Sequence, residues 1–435
     1  MSILTIVGID VILLILLLML SVPLPYCFGG ALMFMAIAGG VSMKSMMLWG
    51  YSQSIGIVLL ASPLFILAGT FMGGSGVASR LLDLCDSFIG HIRGGLGIVS
   101  VLTCAVIGAI SGSGFTGVAA TGPIMIPRMV KQGYPRGFAT ALVTVSSVLG
   151  LLIPPSAIMI IYGWITETSI LACFLSTIGP GLLVAFLFCI INMFECRKFD
   201  LVLAEKLPIK ERWQKRGKCA TTAIPAILMP VIILGGIYGG VFTPTEAAAV
   251  AALYSVPVGL WIYRAMKIKD IKTMLFDSIN SIGGIMVMIV FCLMLSQTFT
   301  MLRVPQALIQ IIFSLTQDRT VILIILNLFL FLVGMIVNDT TGMLLCAPLL
   351  LPLVTAIGIT PVQFAAIMGV NLAMGGVTPP YASILYLGMR IGNCEFKDIL
   401  PPTLRLLIFG YIPVVFLTSF WADLSLAIPR LMGYV

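Results

Sequence analysis

Long apolar runs separated by short polar breaks make up most of the chain. Since roughly 20 apolar residues form a helix that crosses a bilayer, the 435 residues have room for roughly ten or more membrane segments. The pattern predicts an all-α polytopic membrane protein. The polar breaks lie at about 44–55, 75–93, 131–136, 164–169, 195–220, 264–273, 302–320 and 390–400.

The same polar breaks divide the chain into two related halves. At an offset of 225 positions, glycine, proline and threonine residues of the first half fall on identical residues of the second half. Each half therefore carries a hairpin (94–130 and 321–357) followed by a helix that a Pro-Pro pair interrupts (137–163 and 362–389). The pairs are Thr116/Thr341, Gly117/Gly342, Pro123/Pro348, Pro127/Pro352, Gly133/Gly358, Gly150/Gly375, Pro154/Pro379, Pro155/Pro380 and Gly163/Gly388.

The positions of the basic residues predict how the two halves are oriented. Membrane proteins concentrate Lys and Arg in cytoplasmic loops. If the first hairpin enters from the cytoplasm, only Lys44, Arg303, Arg319 and Arg430 of the 24 Lys and Arg lie outside. The second hairpin then enters from the opposite side. The halves are therefore expected to be inverted repeats with re-entrant hairpins, an architecture of secondary transporters.

This reading divides the chain into six segments. Scaffold helices are expected at 1–93 and 221–303, and the two repeat units, which form the transport unit, at 94–193 and 304–400. A basic amphipathic linker at 194–220 would lie on the inner membrane surface, and 401–435 would form a C-terminal helix.

Composition excludes several classes of protein. The chain is 60% hydrophobic and 9% charged, whereas soluble domains carry roughly 25% charged residues. A soluble enzyme, a nucleic-acid binder and a secreted domain are therefore excluded. The net charge of +8 indicates membrane topology before it indicates a nucleic-acid partner, because membrane proteins concentrate Lys and Arg in cytoplasmic loops. The ten cysteines form no CxxC pair and His91 is the one histidine, so neither a transition-metal site nor a membrane-embedded enzyme is expected.

The two hairpin tips are the first candidates for binding chemistry. Residues 111–117 read Ser-Gly-Ser-Gly-Phe-Thr-Gly, and unwound carbonyls with Ser and Thr hydroxyls are hard oxygen ligands that suit sodium. A packing motif of small residues is the alternative. The second tip, residues 338–342, contains Asp339, the one acid of its hairpin and broken helix. Two compatible roles are predicted for Asp339, which are to face a cation and to cap the following helix.

The two Pro-Pro breaks are the second candidates. Paired prolines at 154–155 and 379–380 free carbonyls from the helical ladder, either to bind a cation or simply to produce a kink. Half-helix N-termini at the breaks and tips would favour an anionic substrate. Thr243 and Glu246 predict a helix start with a capping box.

Several motifs together resemble the large membrane subunit (M subunit, DctM-like) of TRAP (tripartite ATP-independent periplasmic) transporters. The similarity covers almost the whole chain. The motifs lie at 63–69, 91–95, 110–114, 122–127, 131–134, 153–156, 240–247 and 377–380.

The resemblance implies a subunit of a multi-pass importer of the bacterial inner membrane. A periplasmic binding protein would deliver a small organic anion, a small four-helix membrane subunit would support this chain, and an elevator motion would be coupled to Na⁺. No other cofactor is implied. The implied sodium-binding residues are Ser111, Gly112, Ser113, Gly114, Thr116, Pro154, Ser156, Asn338, Asp339, Thr340, Thr341, Gly342, Thr378 and Pro379, and the implied substrate cavity holds Thr70, Pro155, Ser156, Pro380, Tyr381 and Ser383.

Two departures from the family pattern lie near the expected cavity. Thr70 stands where the family often has Asn, and Tyr381 and Ser383 replace residues that are usually small. These changes are compatible with an atypical substrate, either a carboxylate or a sulfonate. A stand-alone sodium/dicarboxylate symporter, which needs no binding protein, is the alternative function.

Overall fold

The computed structural model describes residues 3–20, 22–202, 208–379 and 382–435, and within these ranges every regular element is a helix. Among the described residues, nine helical segments are long and apolar enough to cross a membrane. The predicted all-α membrane fold is confirmed. The first-half helices are α1 Ile3–Met19, α2 Leu24–Ala38, α3 Met43–Ser54, α4 Ala61–Gly74, α5 Val77–Ile89, α6 Gly95–Ser111, α7 Gly114–Lys131, α8 Arg136–Ser147, α9 Leu149–Leu152, α10 Ala157–Ile165 and α11 Ile170–Glu195.

The second half continues with eleven α-helices among the described residues. Short 3₁₀ turns (Ile57–Leu60, Cys196–Lys198) and π-helical turns (Val258–Ile262, Leu407–Tyr411) adjoin some of the helices. The second-half helices are α12 Ile209–Tyr238, α13 Pro244–Pro257, α14 Ile268–Met301, α15 Val304–Leu315, α16 Arg319–Ile336, α17 Asp339–Ala356, α18 Pro361–Gly375, α19 Ser383–Gly392, α20 Phe396–Leu406, α21 Ile412–Phe420 and α22 Asp423–Leu431.

The internal repeat extends further toward the N-terminus than the sequence motifs indicate. The second hairpin helices, α7 and α17, begin at Gly114 and Asp339, which are 225 residues apart. The same offset relates the start of α3 at Met43 to the start of α14 at Ile268. The offset therefore relates one helix start in each predicted scaffold segment, although no Gly or Pro residue of 1–93 falls on an identical residue of 221–303 to reveal it.

The two repeats pack crosswise. The second half of the first broken helix, α10, lies against hairpin helix α17 of the other repeat. Correspondingly, α19 lies against α7 and α8 of the first repeat. Each hairpin thus rests on the other repeat's broken helix, and the two breaks come together in the interior.

A glycine pair brings each hairpin close to its own broken helix. Gly108 of α6 meets Gly150 of α9, and Gly334 of α16 meets Gly375 of α18. A Cβ at either Gly150 or Gly375 would lie closer than 3.0 Å to the opposing backbone. Each contact immediately precedes a break, so it fixes where the hairpin crosses the helix that unwinds.

The basic linker differs from the predicted surface helix in its extent. Of its described residues, 209–220 form the first part of α12, which continues without interruption to Tyr238. The guanidinium of Arg216 stacks on Phe88 and Trp213, with centroid distances of 5.0 and 5.5 Å. The polar start of α12 is therefore anchored against α5 by Arg216, which also donates to the Ser87 carbonyl.

Candidate functional site

The first tip is a tight turn between α6 and α7. Gly112 has φ +63°, a left-handed conformation that glycine adopts without steric cost. The Ser111 hydroxyl lies 3.4 Å from the carbonyls of both Gly108 and Ser113. Ser113 is extended, and α7 then begins at Gly114. The turn therefore places hydroxyl and carbonyl oxygens side by side, as the sequence predicts.

This first tip lies between the two breaks. A Cβ at Gly112 would be 3.1 Å from both the Pro155 carbonyl oxygen and the Ala157 amide nitrogen. A Cβ at Gly114 would be 2.9 Å from Ile384 Cδ1, in the first turn of α19. The N-termini of α7, α10 and α19 are thus brought together, and helix N-termini carry partial positive charge. In α19 the Ile384 amide already donates to the Gly376 carbonyl at 3.3 Å.

The first break holds its polar groups in the interior. Pro154, Pro155 and Ser156 are all buried. Pro154 has no N–H, so the Gly150 carbonyl loses its helical donor. The Ser156 hydroxyl donates to the Leu151 carbonyl at 2.6 Å, which satisfies the next carbonyl along the chain.

The second tip is organised by side-chain caps. The Asn338 side-chain oxygen accepts from the Thr341 amide at 2.8 Å, so Asn338 is the N-cap of α17. Capping α17 is one of the two roles predicted for Asp339. Its carboxylate accepts instead from the adjacent Thr340 amide at 2.9 Å. Because Asn338 already caps the helix, the carboxylate of Asp339 is not needed as the cap.

Residues of α14 that the sequence does not single out also contact the second tip. The Thr341 hydroxyl lies 3.0 Å from the sulfur of Met288, and the Asn338 Nδ2 amide nitrogen lies 3.7 Å from the same sulfur. The Cys292 thiol faces the Thr341 carbonyl at 3.8 Å. The offset of 225 relates Met288 to Pro63, within a motif of the first half, and this correspondence is the one signal that could have identified it.

The remaining predicted residues lie near one of the two tips, at the second break, or outside the described residues. Thr70 donates to the Ile66 carbonyl and follows Gly69, where a Cβ would lie 3.0 Å from Ser111 Cβ and 3.2 Å from Thr116 Oγ1. Thr378 is buried and donates to the Met374 carbonyl, and Ser383 begins α19. The predicted cavity residues Pro380 and Tyr381 lie outside the described residues. Gly342, Pro379 and Thr340 lie in or beside the second tip and break as predicted.

The two tips are not joined directly. Within the described part of the chain, no hydrogen bond links residues 111–117 to residues 338–342. The first tip contacts both breaks, whereas the second contacts α14 and, through Gly342, Leu372 of α18. The oxygen atoms of the two tips therefore form two separate groups. In the described residues, no three His, Cys, Asp or Glu side chains gather to hold a metal.

A buried amide network lies about three helical turns before the second tip along α16. Asn371 donates to the side-chain oxygen of Asn327 at 2.8 Å, and Asn327 donates to the Ser419 hydroxyl at 2.9 Å. Gln363 donates to the carbonyls of Thr418 and Ser419. The network joins α16, α18 and α21, so it fixes the first helix of the second hairpin to the broken helix.

The chain matches one family model and several known proteins. The model described as "Tripartite ATP-independent periplasmic transporter, DctM component" matches residues 11–422. The C4-dicarboxylate TRAP transporter large permease protein DctM of Pseudomonas aeruginosa is 36% identical over 403 residues, 90% of this chain and 91% of that protein. The isethionate TRAP transporter permease protein DctMQ of Oleidesulfovibrio alaskensis is 32% identical over 408 residues, 92% of this chain and 64% of that protein.

The fold is also similar to a solved structure. The YdaH transporter of Alcanivorax borkumensis superimposes with a TM-score of 0.59 and 16% identity, over 88% of this chain and 89% of that one. At this identity the likeness concerns the fold alone.

Proposed function

Because this chain belongs to the DctM component family of TRAP transporters, we propose that it imports a small organic anion together with sodium ions. The chain is a multi-pass integral membrane protein of the bacterial inner membrane, and its relatives are transporter permease subunits. The anion would be a carboxylate or a sulfonate. A periplasmic binding protein would deliver it, and a small four-helix membrane subunit would support the chain.

The observation that carries the proposal is the position of the first tip between the two breaks. Three helix N-termini converge there, and such termini bind anions through free amides and the helix dipole. The Ser111 hydroxyl and the carbonyls around it supply oxygen atoms next to the same space. A sodium ion on these oxygens and an anion at the helix termini would each offset the other's desolvation, which gives a physical basis for coupled binding.

The second tip supplies another set of oxygen ligands. Asp339 brings a carboxylate, which accepts from the Thr340 amide, into the same helical turn as Thr340 and Thr341. An intramembrane carboxylate is costly unless it meets a cation. We therefore assign one sodium site to each tip, with Pro154 and Ser156 beside the first and Thr378 and Pro379 beside the second.

The names of the relatives support the substrate class. One of the relatives is named for C4-dicarboxylates and another for isethionate, which carry carboxylate and sulfonate groups. The substrate cavity is assigned to the space lined by Thr70, Pro155, Ser156 and Ser383, together with Pro380 and Tyr381.

Coupled transport implies that the central elements move. The hairpins and broken helices would form the moving unit, and α1–α4, α12–α14 and the C-terminal helices would form the scaffold. Five candidate spans separate the two hairpins, and an odd number supports opposite orientations for them.

Reconstituted transport tests the proposal. Proteoliposomes that contain this chain and its small subunit are given the cognate binding protein and radiolabelled dicarboxylates or sulfonates, with and without an inward sodium gradient. We expect uptake that requires both sodium and binding protein, and we expect Asp339→Asn to weaken the sodium dependence. Uptake without a binding protein would support the stand-alone symporter instead. Proton-driven uptake that ignores sodium would refute the assignment of the tips.

A further inference from the structure

A sulfur atom from outside the hairpin contacts the second tip. Met288 lies on α14 and is 2% exposed. Its sulfur is 3.0 Å from Thr341 Oγ1 and 3.7 Å from Asn338 Nδ2. Two of the four polar side chains of this tip, Asn338 and Thr341, thus turn a donor toward one thioether.

A thioether carries no hydrogen, so it can only accept. The hydroxyl hydrogen of Thr341 must therefore point at Met288, and the two oxygen lone pairs point elsewhere. Several other threonine hydroxyls in the helices donate to the carbonyl four residues earlier, as Thr298 does to Met294 and Thr418 to Val414. Thr341 lies in the first turn of α17, where the residue four positions earlier, Val337, precedes the helix.

The Thr341 amide and the Asn338 side chain both have other partners, which leaves the Thr341 hydroxyl oxygen available as a ligand. The Thr341 amide is already bonded to the Asn338 oxygen at 2.8 Å, and the amide hydrogens of Asn338 face the sulfur. A threonine oxygen with an oriented hydrogen and free lone pairs, in the same helical turn as the carboxylate of Asp339, is prepared to bind a hard cation.

The first tip has no equivalent of this sulfur. Thr116 corresponds to Thr341, and its hydroxyl faces Gly69 of α4. Gly69 has no side-chain acceptor, so its part is to allow a close approach. The two tips therefore orient their corresponding threonines by different means.

We propose that Met288 is a positioning residue for the sodium site at the second tip, because its sulfur orients the Thr341 hydroxyl as a sodium ligand. This inference rests on the sodium-coupled function proposed above. Met288 does not touch the ion; it acts through Thr341. Its removal should therefore change the sodium dependence of transport more than the maximal rate.

The test compares methionine variants in the full three-component system. Met288→Leu removes the acceptor while nearly conserving volume, Met288→Gln restores an acceptor oxygen, and Met294→Leu is the matched control on the same helix. Met294 is 3% exposed and packs near Gly50, away from the tip. The readouts are the half-saturating sodium concentration for uptake and the sodium-induced rise in unfolding temperature of the purified complex.

We expect Met288→Leu to raise the half-saturating sodium concentration about threefold to tenfold, the effect of losing one ordinary hydrogen bond. Met294→Leu should leave it unchanged, and Met288→Gln should recover most of the loss. In a Thr341→Val background, where the hydroxyl is absent, Met288→Leu should have no further effect.

The outcomes distinguish a failure of the role assigned to Met288 from a failure of the proposed sodium-coupled function. Unchanged sodium dependence in Met288→Leu, with sodium-dependent wild-type uptake, overturns the role of Met288 alone. An undiminished effect of Met288→Leu in the Thr341→Val background also overturns it, because the effect would not pass through Thr341. Wild-type uptake that is indifferent to sodium overturns both this inference and the proposed function.

Discussion

The close glycine contact between α6 and α9 makes a quantitative prediction. In Gly150→Ala, the new Cβ would lie closer than 3.0 Å to Gly108 Cα and 3.0 Å from the Gly108 carbonyl carbon. Ordinary contact begins at 3.4 Å, and both partners are backbone atoms, so no side chain can rotate away. The two helices must separate by about 1 Å in an interior packed as densely as an organic crystal.

Two opposing contributions set the change in the free energy of unfolding of Gly150→Ala. Overpacking of this kind costs about 1–3 kcal/mol, while Gly→Ala within a helix gains about 0.5–1 kcal/mol. We therefore expect Gly150→Ala to lower the free energy of unfolding by about 1–2 kcal/mol. Because the contact directly precedes the first break, we also expect reduced substrate uptake per folded molecule.

The matched control is Gly283→Ala in the interior of α14. No heavy atom lies within 4 Å of a Cβ at that position, so the substitution keeps only the helical gain of about 0.5–1 kcal/mol. The assay is thermal unfolding of the purified protein in detergent, followed by intrinsic tryptophan fluorescence. The packing argument is refuted if Gly150→Ala unfolds at or above the temperature of Gly283→Ala.

Two further predictions concern buried polar groups. Asp10 of α1 is fully buried, and neither of its side-chain oxygens has a hydrogen-bond partner among the described residues, so Asp10→Leu should stabilise the protein by about 1–3 kcal/mol. Thermal unfolding checks this, with Asp10→Asn as a control that keeps the polar group; a less stable Asp10→Leu would contradict it. Asn327→Leu should destabilise by about 1–3 kcal/mol, because Asn371 and Ser419 lose a buried partner. An unfolding temperature equal to wild type would show that the network contributes nothing to stability.

The Gly and Pro residues of the repeat allow the centre of the molecule to be predicted from sequence. They impose turns and breaks regardless of what packs around them, so an offset of 225 located both tips and both Pro-Pro breaks. The helix bounds around these features differ from the predictions by a few residues, as in α7, which ends at Lys131. The capping box predicted at Thr243 and Glu246 is confirmed, with reciprocal hydrogen bonds of 2.8 and 3.3 Å.

Other features depend on tertiary contacts that no local pattern encodes. Met288 is one of 25 methionines, and nothing in its apolar neighbourhood distinguishes it until α14 packs against the second tip. Helix α12 begins well before its apolar run because Arg216 finds partners on α5, the Phe88 ring and the Ser87 carbonyl. Asp10 stands out as a charge in an apolar run, but its burial is set by the helices around it.

The crosswise packing of the repeats has a consequence for how the chain is made. Helix α7 leaves the ribosome more than 250 residues before α19, its packing partner, has been synthesised. The first half therefore enters the membrane before its packing surface on the second half has been synthesised. Helix α10 likewise precedes its packing partner, α17. Two half-length chains, divided between α11 and α12, would each be incomplete alone and would complete one another. An ancestral half-length chain would have found the same surface only on a second copy of itself.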